Sequence, residues 1–595
     1  MVQLHDQTLR DAHQSVLATR LRTEDMVPIC STMDKIGFFS MEVWGGATFD
    51  VAIRYLNEDP WERLKTLKAH LPNTPLQMLE RAMNIVAYKN FPDDLVKAFI
   101  HYAKQDGCDY FRVFDALNDL RNMEVPIKAV IKEGGHAQGS LCYTISPIHT
   151  VERYVEDFKE LESMGCHSLC IKDMAGMISP TRAYDIIKGC KDAGIKIPID
   201  LHSHNTSGMS GLSYMSACEA GVDVLDSSIS SLTGSTGQPP TESIVAALKD
   251  TEFDTGYDMD LLMEAREYFN KVWNKYSHLH RDAALRIDPS VTVHQIPGGM
   301  LSNLVFQLEQ QGAGDKYDEV LKETPRVRKD FGYPPLVTPS SQLVGVQAVM
   351  NVLFGRYKRV TEDTKNYLRG MYGKPPGEIS EEFYKKILGP NWRDEVIDCR
   401  PSDMLEPAYK KYRDELDDMG LLKKPEDALT YAIYPQVGLK FLKGEAKAEF
   451  TSDQLPLKPV TTTSSAAPRT VEYPLKMKVN VDGVGHQVHM RDADTVEVDG
   501  KSYQISVLYP GGAQSTPKKK TSSGKMLEVN SPMLGSIIRL SVSPGDKVSE
   551  GDTIAVLEAM KMENDITSPA DGVVSSIRVK EGQDVEEGDV IALLE

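Results

Sequence analysis

The chain is poor in cysteine and in long apolar runs. Its eight cysteines are scattered over 595 residues and include neither a disulfide framework nor a C-x-x-C pair, as expected in a reducing compartment. No stretch approaches the roughly 18 consecutive apolar residues of a membrane span. The first ten residues are too polar for a signal peptide. We therefore expect a soluble, cytoplasmic protein with no direct membrane insertion.

Basic residues are also outnumbered. Lys and Arg total 67 against 86 Asp and Glu, which gives a net charge of −19. A chain this acidic is a poor candidate for binding nucleic acid. No Gly-rich nucleotide loop is present, so we expect no ATP site in this chain. Its length corresponds to about three to five domains.

Two segments rich in Pro, Ser and Thr divide the chain. Residues 451–471 and 509–525 have no apolar period and are typical of flexible linkers. They separate a large body from a short segment at 472–508 and a tail module at 526–595. The short segment reads as a few antiparallel strands with D-G turns, and it could dock a partner or act as a spacer.

The first 260 residues alternate β-rich and helical patterns. Eight such units match the size of a (β/α)8 TIM barrel, and no G-x-G-x-x-G follows the first strand, which disfavours a doubly wound open sheet. Residues 261–450 are expected to form an accessory helical part, with helical periods at Asp260–Asn274, Asn303–Gln311, Asp315–Val327 and Gln342–Phe354. The predicted strands are Leu4–Leu9, Ser40–Trp44, Leu76–Leu79, Tyr110–Phe114, Gly139–Thr144, Ser168–Ile171, Ile197–Leu201 and Val222–Ser227.

The tail contains an internal repeat. Ser531–Glu558 matches Ser568–Glu595 in its Pro, Gly, Asp and Val/Ile positions, which predicts a quasi-twofold β-sandwich. By that symmetry Lys561 falls at a hairpin turn between Met560 and Met562. A lone exposed lysine would mean little, but two exposed methionines beside it indicate that this turn is recognised.

Chemistry in a TIM barrel concentrates at the carboxyl ends of the strands. Asp11 follows the first strand, and His202 and His204 end the seventh at a spacing that puts both on one side. Two imidazoles and a carboxylate suit Zn²⁺, Mn²⁺ or Co²⁺, although an H-x-H pair can equally be structural. Lys172 ends the sixth strand. It could pair with Asp173 or Asp11, or, as a desolvated amine, take up CO2 and become an anionic ligand.

Other polar groups fall at the same end of the barrel. Arg10, Gln14 and Arg81 could bind a small keto acid, since Arg grips carboxylates bidentately, although each could also be structural. Thr338 precedes a proline and by itself predicts only a turn or a helix start.

Long motifs carry a family resemblance. They include R-D-A-H-Q-S, G-G-A-T-F-D, F-R-V-F-D-A-L-N-D, K-D-M-A-G, H-x-H and P-G-G-M. Together they resemble the carboxyltransferase domain shared by the oxaloacetate decarboxylase alpha subunit, pyruvate carboxylase with its separate B subunit, and the transcarboxylase 5S subunit. A-M-K-M near the C-terminus resembles the biotin attachment site of small all-β, hammerhead-type biotin carboxyl carrier domains.

The resemblance implies roles for single residues. Asp11, His202 and His204 would hold the metal, with Lys172 carboxylated as a further ligand. Arg10, Gln14 and Arg81 would orient the keto acid or biotin, Thr338 would pass a proton between biotin and the enol, and Lys561 would carry biotin. One departure lies next to Arg81, where Glu80 and Ala82 replace the Leu and Gly that are usual in the family.

The implied reaction is carboxyl transfer between oxaloacetate and protein-bound biotin, which gives pyruvate, or its reverse. The implied partners are biotin protein ligase and either membrane Na⁺-pump decarboxylase subunits, which would place the chain at the membrane periphery, or a soluble biotin carboxylase subunit. A homodimer is expected. The alternatives are a metal-dependent aldol lyase or Claisen-type synthase, a transcarboxylase that uses an acyl-CoA donor, and a scaffold with an inactive barrel.

Overall fold

The structure is a computed structural model that divides into two compact units. One contains residues 1–457 and 528–594, and the other contains residues 458–527 with the C-terminal residue. The described residues are 1–297, 308, 313–455, 475–481, 484–490, 495–498, 501–504, 527–531, 535–559, 562–585 and 588–595.

Eight parallel strands close into a barrel in the order β1 to β8, which confirms the predicted TIM barrel and rules out the open sheet. Each strand pairs with the next, and β8 returns to β1. The strands are β1 (Gln3–Asp6), β2 (Ser40–Gly45), β3 (Leu76–Glu80), β4 (Tyr110–Phe114), β5 (His136–Cys142), β6 (Ser168–Asp173), β7 (Ile199–Ser203) and β8 (Val224–Ser227).

Helices surround the barrel and bury its outer face. The longer ones are amphipathic, and their apolar sides join the strands in one large core. The helices of residues 1–297 are His13–Val16, Val27–Ile36, Gly46–Val51, Pro60–His70, Asp93–Gln105, Leu120–Lys132, Val151–Ser163, Pro180–Asp192, Ser210–Ala220, Thr241–Leu248, Met259–Lys275, Asp282–Leu285 and Val291–His294.

The first strand is shorter than its apolar run predicted. It ends at Asp6, and Thr8–Ala12 forms a π-helical turn instead of continuing the strand. The reason is local, because the Asp6 carboxylate accepts hydrogen bonds from the Thr8 amide at 3.0 Å and the Thr8 hydroxyl at 2.6 Å. Arg10 and Asp11 therefore project from a helical turn at the barrel mouth.

The region after the barrel is helical, as expected, and has a second apolar core. The helix expected at 315–327 is Tyr317–Asp330, and the one expected at 342–354 is Ser340–Phe354. The helix expected at 303–311 lies almost wholly outside the described residues. The remaining helices are Glu362–Leu368, Glu381–Leu388, Tyr409–Asp418, Pro425–Ile433 and Pro435–Leu442.

The tail module is the predicted β-sandwich. Its strands form two four-stranded sheets, ordered β13-β20-β18-β15 and β17-β16-β14-β19. Each strand of one sheet has its repeat equivalent at the same position in the other sheet, and this is the quasi-twofold relation of the repeat. The strands are β13 (Leu527–Asn530), β14 (Gly535–Leu540), β15 (Lys547–Val548), β16 (Thr553–Ala559), β17 (Met562–Thr567), β18 (Gly572–Ile577), β19 (Asp584–Val585) and β20 (Val590–Leu594).

The tail module packs against the helical region within the same compact unit. Val346 and Met350, on the Ser340–Phe354 helix, belong to the same buried apolar cluster as the interior of the sandwich. The Gln436 side-chain amide also donates to the Ile538 carbonyl at 3.0 Å. The helix that begins just after Thr338 therefore contacts the module that contains the A-M-K-M motif.

The second unit contains an antiparallel sheet ordered β12-β11-β10-β9, as the D-G turns predicted. Most of both proposed linkers lies outside the described residues. Among the described residues, every helix is too short or too polar to cross a bilayer. The strands are β9 (Leu475–Val481), β10 (Val484–Met490), β11 (Thr495–Val498) and β12 (Lys501–Gln504).

Candidate active site

Three predicted ligands converge at the carboxyl end of the barrel. Ligand atoms of Asp11, His202 and His204 all lie within 4.8 Å of one another. Asp11 Oδ2 is 3.6 Å from His202 Nε2 and 3.4 Å from His204 Nε2. All three residues are buried. One carboxylate and two imidazoles in this arrangement form a donor set suited to a divalent transition metal.

The orientation of His202 is fixed by a buried carboxylate. Its Nδ1 lies 2.5 Å from Asp226 Oδ2, which leaves Nε2 to face Asp11. Asp226 also accepts from Arg112 at 2.5 Å and from Gln7 at 2.7 Å. Since Nδ1 donates to the carboxylate, Nε2 has a free lone pair, and this buried atom has no hydrogen-bond partner among the residues that the structure describes. That is the state a metal ligand requires.

His204 lies one residue beyond β7 and is oriented by main chain. Its Nδ1 is 2.5 Å from the Thr236 carbonyl oxygen, so it donates there and turns Nε2 toward Asp11. The Gln238 side-chain amide lies 3.4 Å from the same Nε2. Both imidazoles therefore present the same nitrogen to the same carboxylate.

The surroundings favour ligands in their metal-binding protonation states. Burial works to raise the pKa of Asp11, but Arg10 and the two histidines outweigh it and hold the pKa well below its usual range. Burial, aided by the charge of Lys172, holds the pKa of His202 well below its usual range. An ionised carboxylate and a neutral imidazole follow.

Lys172 is buried at the end of β6, in the same mouth. Its Nζ lies 5.7 Å from the centre of the Phe114 ring, and burial lowers its pKa. Within the described part of the chain, no carboxylate lies within 4.0 Å of Nζ, so neither of the predicted ion pairs, with Asp173 or Asp11, is present. The amine is thus desolvated beside the candidate metal site.

Arg10 and Gln14 form the side of the site next to Asp11. Arg10 donates to Asp11 at 3.1 Å and to the Gln14 side-chain oxygen at 3.2 Å, and it forms an ion pair with Glu42 at 2.7 Å. Glu42 is wholly buried within β2 and supplies the second negative charge beside Arg10. Arg10 is therefore locked in place by one carboxylate from its own turn and one from the neighbouring strand.

Arg81 lies on the loop after β3, despite the altered residues beside it. Its guanidinium donates to the carbonyls of Val86 at 3.2 Å and Ala87 at 3.0 Å. A Cβ added to Gly46 would come within 2.6 Å of the Arg81 Cζ, and one added to Gly45 within 3.6 Å of the Arg10 Cδ. The two arginines thus pack on the same glycine pair. Gly46 must stay small, because its Cβ would also come within 2.7 Å of the Val86 carbonyl oxygen, whereas Gly45 would make only an ordinary van der Waals contact.

The substitution at position 80 is accommodated by burial rather than by pairing. Glu80 has no exposed surface, and neither carboxylate oxygen has a hydrogen-bond partner among the described residues. Burial raises its pKa well above the usual range. It is the last residue of β3 and directly precedes Arg81, yet it makes no ion pair with it.

Thr338 is placed at the barrel mouth by the packing of the preceding residue, Val337. Val337 packs with Leu79, Phe114 and Cys142, which lie near or at the carboxyl ends of β3, β4 and β5. Thr338 itself is half-buried. The loop before the Ser340–Phe354 helix therefore covers the side of the mouth that contains Phe114, whose ring centre is 5.7 Å from Lys172 Nζ.

The predicted attachment turn is only partly described. Strands β16 and β17 form an antiparallel hairpin in which Ala559 is opposite Met562. Met560 and Lys561, which stand between these strands in the sequence, lie outside the described residues, and the Met562 side chain is not described.

Sequence reasoning missed the charged residues inside the barrel. Arg112, Asp200 and Asp226 lie within β4, β7 and β8 and form one buried network, with Arg112 to Asp200 at 2.6 Å. Glu42 was missed as well. The available signal was a charged residue within a predicted strand of a closed barrel, where it must find a partner.

Three family models match parts of the chain. They are the conserved carboxylase domain over residues 291–506, a biotin-requiring enzyme model over 527–594 and the HMGL-like model over 100–268. The biotin model coincides with the tail sandwich, and the HMGL-like model coincides with part of the barrel.

Individual relatives extend over nearly the whole chain. The B subunit of pyruvate carboxylase from Methanocaldococcus jannaschii is 50% identical, and the match covers 94% of each chain. The 2-oxoglutarate carboxylase large subunit of Hydrogenobacter thermophilus is 42% identical, over 94% of this chain and 90% of that one. The solved carboxyl transferase domain of Rhizobium etli pyruvate carboxylase with pyruvate and biocytin has a TM-score of 0.72 and 31% identity, covering 85% of this chain and 88% of that one.

Proposed function

Because the chain belongs to the biotin-dependent carboxyltransferase family that includes the B subunit of pyruvate carboxylase, we propose that it works toward carboxylation of pyruvate to oxaloacetate. The observation that carries this proposal is the 50% identity to that relative over 94% of both chains. The family resemblance found in the sequence is confirmed, and the chain is an enzyme that uses biotin and a divalent metal. The biotin-requiring enzyme model over residues 527–594 favours carboxyl transfer over the aldol lyase and scaffold alternatives.

Asp11, His202 and His204 are proposed to hold the metal, with Lys172 as a fourth ligand after its amine takes up CO2. The fit rests on the donor set and on the unpartnered, buried Nε2 of His202. When bound, the metal would polarise the keto acid and stabilise negative charge on the enolate oxygen. Zn²⁺, Mn²⁺ and Co²⁺ all suit these ligands.

Arg10, Gln14 and Arg81 are proposed to bind and orient the keto acid. Arg10 is held by Asp11 and Glu42, and Arg81 by two main-chain carbonyls, so both guanidinium groups are positioned before substrate arrives. Fixed cations stabilise the enolate without the cost of reorganisation. Thr338, on the loop over the mouth, is proposed to carry a proton between biotin and the enolate.

Lys561 is proposed as the biotin attachment point, with Met560 and Met562 as the flanks that biotin protein ligase reads. Biotin there would carry the carboxyl group on a ureido nitrogen. The linkers predicted at 451–471 and 509–525 would let the module move between sites at high effective concentration.

The proposed partner is a separate biotin carboxylase subunit, which would supply the carboxyl group to biotin. A cytoplasmic location agrees with eight cysteines that form no disulfide. Membrane Na⁺-pump decarboxylase subunits are the other candidate partner. The homodimer stays a prediction.

The test uses the purified, biotinylated chain. Oxaloacetate should yield pyruvate in Na⁺-free buffer, and avidin should abolish the turnover. Lys561→Arg should abolish it too, whereas Lys580→Arg, a matched change elsewhere in the same module, should not. Adding a biotin carboxylase subunit, ATP and bicarbonate should drive pyruvate to oxaloacetate. A preference for 2-oxoglutarate over pyruvate, or a strict need for Na⁺ and a membrane partner, would contradict the proposal.

A further inference from the structure

A cavity opens between the loops that follow β5 and β6. We call it the loop cavity. Its volume is about 180 Å³, and its lining includes Tyr143, Ser146, His149, Ser179 and Arg182. A water molecule takes up about 30 Å³ in the liquid, so the loop cavity has room for a group of several heavy atoms. None of its lining residues belongs to the proposed metal or keto-acid site.

One positive charge lines the loop cavity directly. Arg182 is half-buried on the Pro180–Asp192 helix, beside the Tyr143 hydroxyl. Across residues 1–297 and 313–455, no carboxylate comes within 4.0 Å of this guanidinium. Asp173 acts on the same Tyr143 hydroxyl, and the exposed Glu152 is influenced by Arg182, but neither carboxylate forms an ion pair with Arg182. The Arg182 charge is therefore available to a ligand.

Arg328 supplies a second positive charge, behind the residues that line the loop cavity. Arg328 is 4% exposed, and it donates to Thr144 Oγ1 at 2.7 Å, the Ile145 carbonyl at 2.9 Å and the Gln295 side-chain oxygen at 2.9 Å. Its Nε donates to the Pro334 carbonyl at 2.8 Å. All four acceptors are neutral, and Thr144 and Ile145 themselves line the loop cavity.

A buried cation that meets only neutral dipoles is costly to the fold. Burial lowers the pKa of Arg328 to about 10, which expresses that cost. An anion in the loop cavity would place a negative charge near Arg328, with Thr144 and Ile145 between them. This is a second, independent reason why the cavity favours a negative ligand.

The remaining lining groups are donors or neutral. Ser179 caps the Pro180–Asp192 helix by accepting from the Arg182 amide, so the positive end of that helix faces the same region. His149 lies 2.6 Å from the Ser146 hydroxyl through Nδ1. Burial, with Arg328 and Arg153 nearby, lowers the pKa of His149 to about 3, so this imidazole is neutral.

We propose that the loop cavity binds a small oxyanion, carrying a carboxylate or phosphate group, through Arg182 and the field of Arg328. The proposal is independent of carboxyl transfer. It concerns a ligand site that adjoins the metal centre through Tyr143, whose amide donates to the Lys172 carbonyl at 2.8 Å.

The test is calorimetric titration of the full-length biotinylated protein with inorganic phosphate and, separately, with malonate at low ionic strength. Saturable binding of one probe is expected. Arg182→Gln should weaken it about tenfold or more, because a charge-assisted hydrogen bond is lost. Lys188→Gln is the matched control, since Lys188 is exposed on the same helix and pairs with Asp192. Binding of phosphate only would assign a tetrahedral anion, and binding of malonate only a carboxylate.

Binding of phosphate and malonate is also measured in Arg328→Gln. Arg326→Gln, on the exposed side of the same helix, is its control. Malonate could also enter the keto-acid site, so its binding is repeated in Arg10→Gln, which removes that site. The proposal is wrong if neither probe binds, or if Arg182→Gln and Lys188→Gln bind equally. If Arg328→Gln does not fold, the Arg182 comparison decides alone.

Discussion

Asp226→Asn is the sharpest perturbation of the metal site, because Asp226 touches no substrate and yet orients a ligand. Its carboxylate accepts from His202, Arg112 and Gln7 at 2.5 to 2.7 Å. An amide at this position can present its NH2 group to His202 Nδ1, which would move the proton to Nε2 and block the metal. Removing such an outer partner typically lowers metal affinity about 10- to 100-fold.

The same change also alters stability. Breaking a buried ion pair by removing one partner costs about 3–5 kcal/mol. In Asp226→Asn, Arg112 retains its ion pair with Asp200 at 2.6 Å. Burial and repulsion from Asp226 raise the pKa of Asp200, so Asp200 should ionise more readily once that repulsion is gone. We therefore expect a cost near the lower end of that range.

Asp200→Asn separates the two effects. It breaks an equally buried pair with Arg112, but the hydrogen bonds of Asp200 run to Arg112 and Gln138 and not to His202. Metal affinity is measured by competition with a chromogenic chelator, and stability by urea unfolding of the metal-free protein. Asp226→Asn should lose affinity, whereas Asp200→Asn should lose mainly stability. Equal loss of affinity in both variants would refute the orienting role.

Three further outcomes are expected. The pKa of Glu80 is near 4.5 in the unfolded chain and higher in the folded protein, so the free energy of unfolding falls as the pH rises between those values. Glu80→Gln should therefore reduce the fall in melting temperature from pH 5 to 8, and an unchanged fall would contradict this. Met350→Asp should disturb the contact with the tail module and slow avidin-sensitive turnover several-fold without lowering the melting temperature of the barrel. Met419→Asp, at an exposed position, is the control and should leave the rate unchanged, and equal rates in the two variants would argue against the contact. Chelation should abolish oxaloacetate turnover, and Zn²⁺, Mn²⁺ or Co²⁺ should restore it; full activity in metal-free protein would contradict the site.

The sequence was sufficient where local pattern decides structure. The period of the apolar residues located all eight barrel strands, and the repeat predicted the sandwich with its twofold relation. It failed where a side chain overrides the pattern, as at Leu9, which the Asp6 hydrogen bonds place in a helical turn. The partners of His202 could not be predicted either, because Asp226 lies on the next strand, β8, and Arg112 lies on β4, 90 residues away, and the sequence does not show that their side chains meet inside the barrel.

The interior of this barrel differs from the usual packing of branched apolar side chains. A chain of hydrogen bonds runs from Ser40 through Gln77 at 3.1 Å to Gln138 at 3.2 Å, and on through Arg112 at 2.6 Å to Asp226. Such a network is worth little to stability unless every member is satisfied, and it then fixes geometry. The apolar core lies between the strands and the outer helices instead. The outward-facing apolar side chains therefore supply most of the burial, whereas Asp226, inside the barrel, positions His202, so Asp226→Asn should affect metal binding more strongly than a substitution of similar size on the outer face.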